Sequence, residues 1–338
     1  MPLNILVVGG TGFLGGAVAD AARRSGHRVS ILSRGQMARS GGATGAEHLV
    51  ADRHGDLSIL KGRSFDLVVD TCAYVPSAVD TLLTALDGRI GIYALVSSIS
   101  VYSDFSKPDM TEAGATDSIA AEHLRQMEAL PPAERSSAAA VGAAYGPLKR
   151  ACEVAAIARL GELALIIRAG LLVGRGDYTD RMTFWVRRID QGGRIPAPGD
   201  PHLPVQMIDV RDAAEFIVRA GASETGGVFN LTGTAMSRVV LFDACAAASG
   251  STAVFDWRPD QVFLDAGLKP WSDVPLWIPA SRTDRAHFLN VSVAKAAQHG
   301  LSLRPVADTL GDILAWDRGR RHVPLKAGWL PEQEAKLR

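Results

Sequence analysis

The sequence predicts an α/β protein built on a doubly wound parallel sheet, with a smaller lobe contributed by its C-terminal part. Three observations carry that prediction. Short apolar runs alternate with helical patterns through the first half of the chain. The first run is followed by glycines at every third position, Gly9, Gly12 and Gly15. Of the 338 residues, 47% are hydrophobic, which is enough for one large α/β domain with an appended lobe.

The elements follow in order. Residues 3–9 read as a buried strand, 13–26 as a helix ended by Gly26, and 28–34 as a second strand. Residues 47–52, 65–71 and 91–98 are further strands, and 163–170 another. Between them, 76–88 reads as a helix, with Pro76 at its start and Gly88 at its end. Apolar runs separated by helices indicate parallel strands covered on both faces. The pattern weakens between Val101 and Ala144. There 104–118 reads as loop, 119–130 as a helix and 131–144 as a mobile stretch, together an insertion over the sheet edge placed to act as a lid. Residues 204–221 return as a strand and a helix, and 306–319 form a last helix.

Charge and cysteine usage narrow the function. The 36 basic residues balance 36 acidic ones, which argues against a nucleic-acid or membrane-surface partner. Cys72, Cys152 and Cys245 lie far apart, and neither they nor the eight histidines have metal-ligand spacing, so no metal is expected. By type, Cys72 and Cys152 read as small core residues. No basic leader and no uncharged run near the ~20 residues of a membrane span is visible. The expectation is a cytoplasmic protein.

The glycine run follows a strand and opens a helix. In that context the first glycine permits the tight turn, the second lets the backbone approach a pyrophosphate, and the third lets the helix sit close to the strand. The helix N-terminus then offers free N–H groups and partial positive charge to the phosphates. The reading is a Rossmann-type dinucleotide site that includes Thr11, Phe13 and Leu14 between the glycines. Residues 1–170, with 205–232 returning to it, form the dinucleotide-binding domain, and 171–204 with 233–338 form a substrate lobe. At the end of the second strand the chain offers Ser33 and Arg34 instead of a carboxylate. Ser33 leaves room and Arg34 suits a 2′-phosphate, so NADP(H) is preferred, with NAD(H) possible. Asp52, after the third strand, is placed to accept from the adenine amino group.

Tyr145 and Lys149 are four apart, which stacks them on one helix face, with Pro147 tolerated in the first turn. A neighbouring ammonium pushes a phenol toward phenolate, and a tuned phenol can move a proton at a carbinol or carbonyl oxygen. The strand ending in Ser97 and Ser98 supplies hydrogen bonds to that oxygen.

These residues together resemble an extended or atypical short-chain dehydrogenase/reductase of the NAD-dependent epimerase/dehydratase superfamily. The resemblance rests on Gly9–Gly15, on Ser97 to Tyr102 and on Tyr145-Gly-Pro-Leu-Lys149, with later landmarks at 168–177 and 205–214. It implies Tyr145 as general acid/base. It also implies Lys149 as the residue that lowers the tyrosine pKa and holds the nicotinamide ribose, and Ser98, four before Tyr102, as the group polarising the substrate oxygen. Arg53, Cys72 and Ala73 join the cofactor contacts. A homodimer through the 76–87 helix and the Tyr145 helix would fit the family. The long tract between Ser98 and Tyr145 departs from the sugar-epimerase pattern and implies a reshaped pocket.

In the substrate lobe, Arg181 and Trp185 are four apart and form a candidate cation–aromatic wall for an anionic or polar-aromatic small molecule. Asp177, Ser100 and Gln206 are further substrate candidates. Trp271 and Trp277, on an irregular stretch, read as hydrophobic plugs, with a cap over the pocket as the alternative. The leading functional reading is an NADP(H)-dependent oxidoreductase acting on a carbonyl or carbinol. The alternative is an NAD-dependent epimerase or dehydratase that retains its cofactor, although Ile99-Ser100 after Ser98 offers no extra acid/base pair. A non-catalytic nucleotide-sensing or RNA-binding relative is the third, disfavoured by the intact Ser-Tyr-Lys set and zero net charge.

Overall fold

In the computed structural model, which describes residues 1–35 and 45–337, the first half of the chain winds a parallel sheet. Its elements are β1 (Asn4–Val8), α1 (Phe13–Arg24), β2 (Arg28–Ser33), β3 (Glu47–Val50), β4 (Phe65–Asp70), α2 (Pro76–Leu86), β5 (Ile90–Ser98), α3 (Ala121–Ala129), α4 (Ala138–Val141), α5 (Tyr145–Leu160) and β6 (Ala164–Ala169). There follow β7 (Leu172–Val173), α6 (Arg181–Asp190), β8 (Arg194–Pro198), β9 (Pro204–Val205), β10 (Ile208–Asp209), α7 (Val210–Ala222) and β11 (Gly227–Leu231). The chain closes with β12 (Met236–Ser237), α8 (Arg238–Ser249), β13 (Val254–Arg258), α9 (Asp260–Asp265), α10 (Ala294–Gln298), α11 (Val306–Arg318) and α12 (Pro331–Ala335).

The central sheet has seven strands in the order β11-β6-β5-β4-β1-β2-β3, all parallel. The order reverses between β1 and β4, which opens a crevice at the carboxyl ends of those strands. Both faces are buried, as the continuous apolar runs require. Ile5 and Val7 of β1 face one core with α1 and α7, while Leu6 and Val8 face the other, which lies on the α2 and α5 side. A third apolar cluster sits in the C-terminal part, around Trp185, Phe242, Phe263, Trp277 and Trp329.

Local chemistry explains the boundaries. Arg23 and Arg24 in the last turn of α1 complement its carbonyl end, and Gly26 turns the chain at φ +80°. Pro76 occupies the first turn of α2, but the left-handed cap after it is taken by Asp87 at φ 51°, one residue before the expected glycine. The Asp209 carboxylate accepts from Arg211 N–H and caps α7, a contribution of about 1 kcal/mol. The dimer-forming helices of the sequence reading, α2 and α5, pack on each other within the chain and leave Val154 and Ile157 exposed.

The insertion differs from expectation. Residues 131–144 are ordered into short helical turns, with Ser137 capping α4 through Ala140 N–H. The preceding loop is no free lid. Phe105 is fully buried, Phe105 N–H donates to the Asp284 carbonyl, and Ser292 N–H donates to the Met110 carbonyl. Backbone pairing with 284–292 welds it to the C-terminal part. Among the described residues no helix is long and apolar enough to cross a membrane, and no group of His, Cys, Asp or Glu could hold a metal.

Candidate active site

The glycine turn has the geometry its spacing predicts. Gly9 turns at φ +79°, and its N–H donates to the Leu32 carbonyl at 2.9 Å. A Cβ on Gly15 would stand 2.3 Å from the Gly9 carbonyl oxygen, so only glycine lets α1 approach the turn. At Gly12 a Cβ would meet nothing but the Gly9 carbonyl, at 3.3 Å, leaving its outer side open. No side chain caps α1 and no acidic residue sits in its first turn. The first N–H groups of a helix lack intrahelical partners and carry partial positive charge. An uncapped helix start beside an open glycine face fits a dinucleotide pyrophosphate. The Phe13 ring packs near Gly174 and Gly176, which lie 3.8 and 3.9 Å from it at their Cβ positions, and so walls the crevice on the far side.

Around this turn the other cofactor candidates divide. Ser33 is half-buried and Arg34 exposed at the end of β2. Asp52 is exposed, and its Oδ1 accepts from His54 N–H at 2.9 Å. Cys72 faces the glycine turn, its sulfur 3.1 Å from where a Gly9 Cβ would lie. The Ala73 carbonyl accepts from Lys149 Nζ at 2.7 Å. Arg53 is different. Its guanidinium is buried and forks onto Asp70 at 2.6 and 2.8 Å, with a further bond to the Ala78 carbonyl. Tyr93 Oη adds a third contact to Asp70 at 2.7 Å. Arg53 thus ties β4 to α2 through its two terminal nitrogens, leaving its buried Nε without a partner.

Helix α5 and strand β5 bring the three expected catalytic side chains together. The Ser98 hydroxyl lies beside the Tyr145 phenol and pulls its pKa down, and it also accepts from Ser100 N–H at 3.1 Å. Ser97 points the other way and donates to Glu153 at 2.6 Å inside a buried cluster. The electrostatics depart from expectation. Burial dominates at Tyr145 and holds its pKa above the ordinary phenol value, against the lowering effects of Ser98 and Arg181. Lys149 donates to the carbonyls of Ala73 and Val96, and burial lowers its own pKa. The cation that acts on Tyr145 here is Arg181, and burial outweighs its lowering effect, which keeps the phenol protonated. Burial also pushes the Cys152 thiol up to about 12, which makes it an inert core residue.

The substrate candidates are sorted by burial. Trp185 is 1% exposed and packs in the third cluster, its indole N–H donating to the Pro275 carbonyl at 2.8 Å. Met182 and Ile189, three before and four after it on α6, face the same core. Gln206 is buried and exchanges two hydrogen bonds with the Val291 backbone, at 2.9 and 3.0 Å. Trp277 is a plug, as expected, with its N–H on Asp260. Arg181 remains in the site, but its aromatic partner is Trp271, whose ring centroid lies 5.3 Å from the guanidinium carbon. Asp177 is buried close enough to act on Arg181, and Ser100 stays half-buried beside Ser98. Two tyrosines to which the sequence reading gave no role also lie here. Tyr74 has its ring 6.3 Å from that of Tyr145, with Lys149 Nζ 5.4 Å from its centroid. Tyr178 is electrostatically coupled to Tyr145 and lies near Lys326. Their only sequence signal was position, directly after Cys72-Ala73 and Asp177.

A seven-stranded parallel sheet whose strand order reverses beside a glycine turn defines a Rossmann-like α/β fold. The comparisons sharpen this. Residues 5–87 match the model of the NAD dependent epimerase/dehydratase family. No curated protein sequence matches the chain. Among solved structures, UDP-N-acetylglucosamine 4-epimerase from Bacillus cereus is 20% identical, with TM-score 0.63, over 97% of this chain and 100% of that one. The UDP-N-acetylglucosamine 4-epimerase from Methanobrevibacter ruminantium M1, in complex with UDP-N-acetylmuramic acid, is 18% identical, with TM-score 0.67, over 94% and 99%. UDP-glucuronic acid 4-epimerase from Bacillus cereus, in complex with NAD, is 16% identical, with TM-score 0.63, over 93% and 96%. The expected resemblance therefore holds: the glycine-turn region matches that family's model, and the whole chain shares the fold of these epimerases.

Proposed function

We propose that this protein is a nicotinamide-dependent enzyme of the short-chain dehydrogenase/reductase type that oxidises a substrate carbinol and returns the hydride to the same molecule, as an epimerase does. The observation that carries the reading is the convergence of Ser98, Tyr145 and Lys149 at the carboxyl edge of the sheet, beside an uncapped helix start. The epimerases that share the fold, one of them in complex with NAD, support the internal redox cycle over a net one. Nicotinamide, when bound, supplies the hydride acceptor and donor. Ser98 holds the substrate oxygen by its hydroxyl. Tyr145 takes the carbinol proton at its phenolic oxygen and gives it back to the carbonyl. Lys149, one turn further along α5, would hold the ribose hydroxyls of a bound nicotinamide nucleotide in place of its carbonyl contacts with Ala73 and Val96.

A second reading is a net reductase using NADP(H). Arg34 favours it: exposed at the end of β2, with Ser33 and no carboxylate, it suits a 2′-phosphate. One experiment separates the two. The purified protein is denatured and any released nucleotide is identified by mass spectrometry. Stoichiometric NAD indicates the internal cycle. An empty protein that binds NADPH more tightly than NADH indicates the reductase. A protein that binds neither overturns both.

A further inference from the structure

Five of the described arginines with buried side chains are matched to a carboxylate. Arg53, Arg168, Arg187, Arg188 and Arg320 each hold a carboxylate at 2.6 to 2.8 Å. Arg181 is not matched in this way. Its side chain sits half-buried at the start of α6 and makes no ion pair among the described residues. Asp177 acts on Arg181 without forming an ion pair with it, and a desolvated cation with no hydrogen-bonded counter-charge is costly, so its donors are open to a ligand.

Three further features surround Arg181. Trp271 covers it as a cation–π platform, and Trp271 is held at φ +70°, a strained backbone for a bulky residue. Strain of this kind concentrates at ligand sites. The Trp271 ring is braced edge-on by Phe288, 5.6 Å away, which itself packs on the welded loop through Phe105. Asp177 is 2% exposed; its Oδ1 takes the Thr179 N–H and hydroxyl, while its Oδ2 is buried with no hydrogen-bond partner. The Arg181 charge acts on Tyr145, so this cluster borders the reacting oxygen.

We propose that Arg181, on its Trp271 platform, binds an anionic group of the substrate, and that Asp177 Oδ2 accepts a hydrogen bond from a neighbouring substrate hydroxyl. The substrate class is then a hydroxylated acid, carrying a carboxylate or a phosphate close to its reacting carbinol. This rests on the proposed function for the identity of the site, but anion binding is measured without turnover.

The test titrates tartrate, glycerol 2-phosphate and glycerol into the protein by calorimetry, with and without saturating NAD, at constant ionic strength. Tartrate reports a carboxylate subsite, glycerol 2-phosphate a phosphate subsite, and glycerol is the neutral control. The expected result is that one of the two acids binds at least tenfold more tightly than glycerol. Arg181→Gln abolishes that preference, and Asp177→Asn weakens binding severalfold without abolishing it. Nucleotide affinity, measured separately, is unchanged in Arg181→Gln. Equal or absent binding of all three compounds, or an acid preference that survives Arg181→Gln, overturns the proposal. Failure of the wild-type protein to bind any nicotinamide nucleotide strikes the proposed function instead and leaves the anion result standing.

Discussion

Gly146 lies so close to the Ser100 carbonyl that a Cβ on it would stand 2.1 Å from the oxygen. This contact seats the first turn of α5 against the loop leaving β5, and so brings Tyr145 to Ser98. In Gly146→Ala one of the two segments must move. Misplacing a catalytic group by about 1 Å can cost on the order of 10²-fold in rate. We expect turnover to fall by that order with nucleotide affinity retained. Wild-type turnover in this variant would mean that the contact does not set the geometry.

Tyr145→Phe should cost roughly 10²–10⁴ in rate, the usual worth of a general acid/base, while nucleotide still binds. The pH profile follows from the sign of the shift. Burial raises the Tyr145 pKa, so the protonated phenol prevails at neutral pH. Carbonyl reduction needs that form and stays level until pH rises through the Tyr145 pKa, then falls. Carbinol oxidation needs the phenolate and climbs with pH up to that pKa. Arg181→Gln removes a charge that favours the phenolate and should move both limbs to higher pH. Initial rates in each direction across neutral and alkaline pH provide the check, and a level oxidation profile would contradict the assignment.

Glu153 on α5 accepts from Arg168 on β6 at 2.8 and 3.0 Å and from Ser97 at 2.6 Å, all within the buried interior. Arg168 also covers the Tyr102 ring, whose hydroxyl donates to Asn230 Oδ1 at 2.7 Å. Glu153→Gln leaves a buried guanidinium without its counter-ion and should cost about 3–5 kcal/mol in denaturant unfolding. A loss under about 1 kcal/mol would show that the network contributes little.

Asp70 gives an acid limb to stability. Burial alone would raise its pKa, but Arg53, Tyr93 and the Cys72 N–H together hold it below the ordinary carboxylate value. A depressed pKa contributes stability that is complete above the unfolded value, about 3.9, and is lost as pH falls through the folded one. Asp70→Asn should flatten that part of the stability–pH curve below about pH 4. It should also destabilise the protein at neutral pH, because Arg53 loses its partner. An unchanged acid limb in urea melts at successive pH values would refute the role.

Arg34→Ala tests cofactor choice. If Arg34 meets a 2′-phosphate, the variant should lose NADPH affinity on the order of tenfold or more, as charge-assisted bonds are worth roughly 1.5–3 kcal/mol, with NADH affinity unchanged. Nucleotide fluorescence titrations would read this. An unaltered NADPH/NADH ratio removes Arg34 from the site.

The sequence by itself determined the sheet, the glycine turn and the Ser98, Tyr145 and Lys149 positions, because each is set by local rules. Continuous apolar runs between helical patterns mark strands buried on both faces, φ > 0 and close approach fix Gly9 and Gly15, and a spacing of four fixes one helix face. Only the tertiary structure decided what long side chains do. Arg53 found Asp70, Gln206 found Val291, and Trp185 turned into the core, each through partners far along the chain. Arg181 met Trp271 in the same way, and Tyr74 came beside Tyr145. The direction of the Tyr145 shift also belongs to the folded chain. A spacing puts Lys149 on the same helix face, but desolvation depends on everything packed around the phenol, and here it outweighs the lowering effects of Ser98 and Arg181.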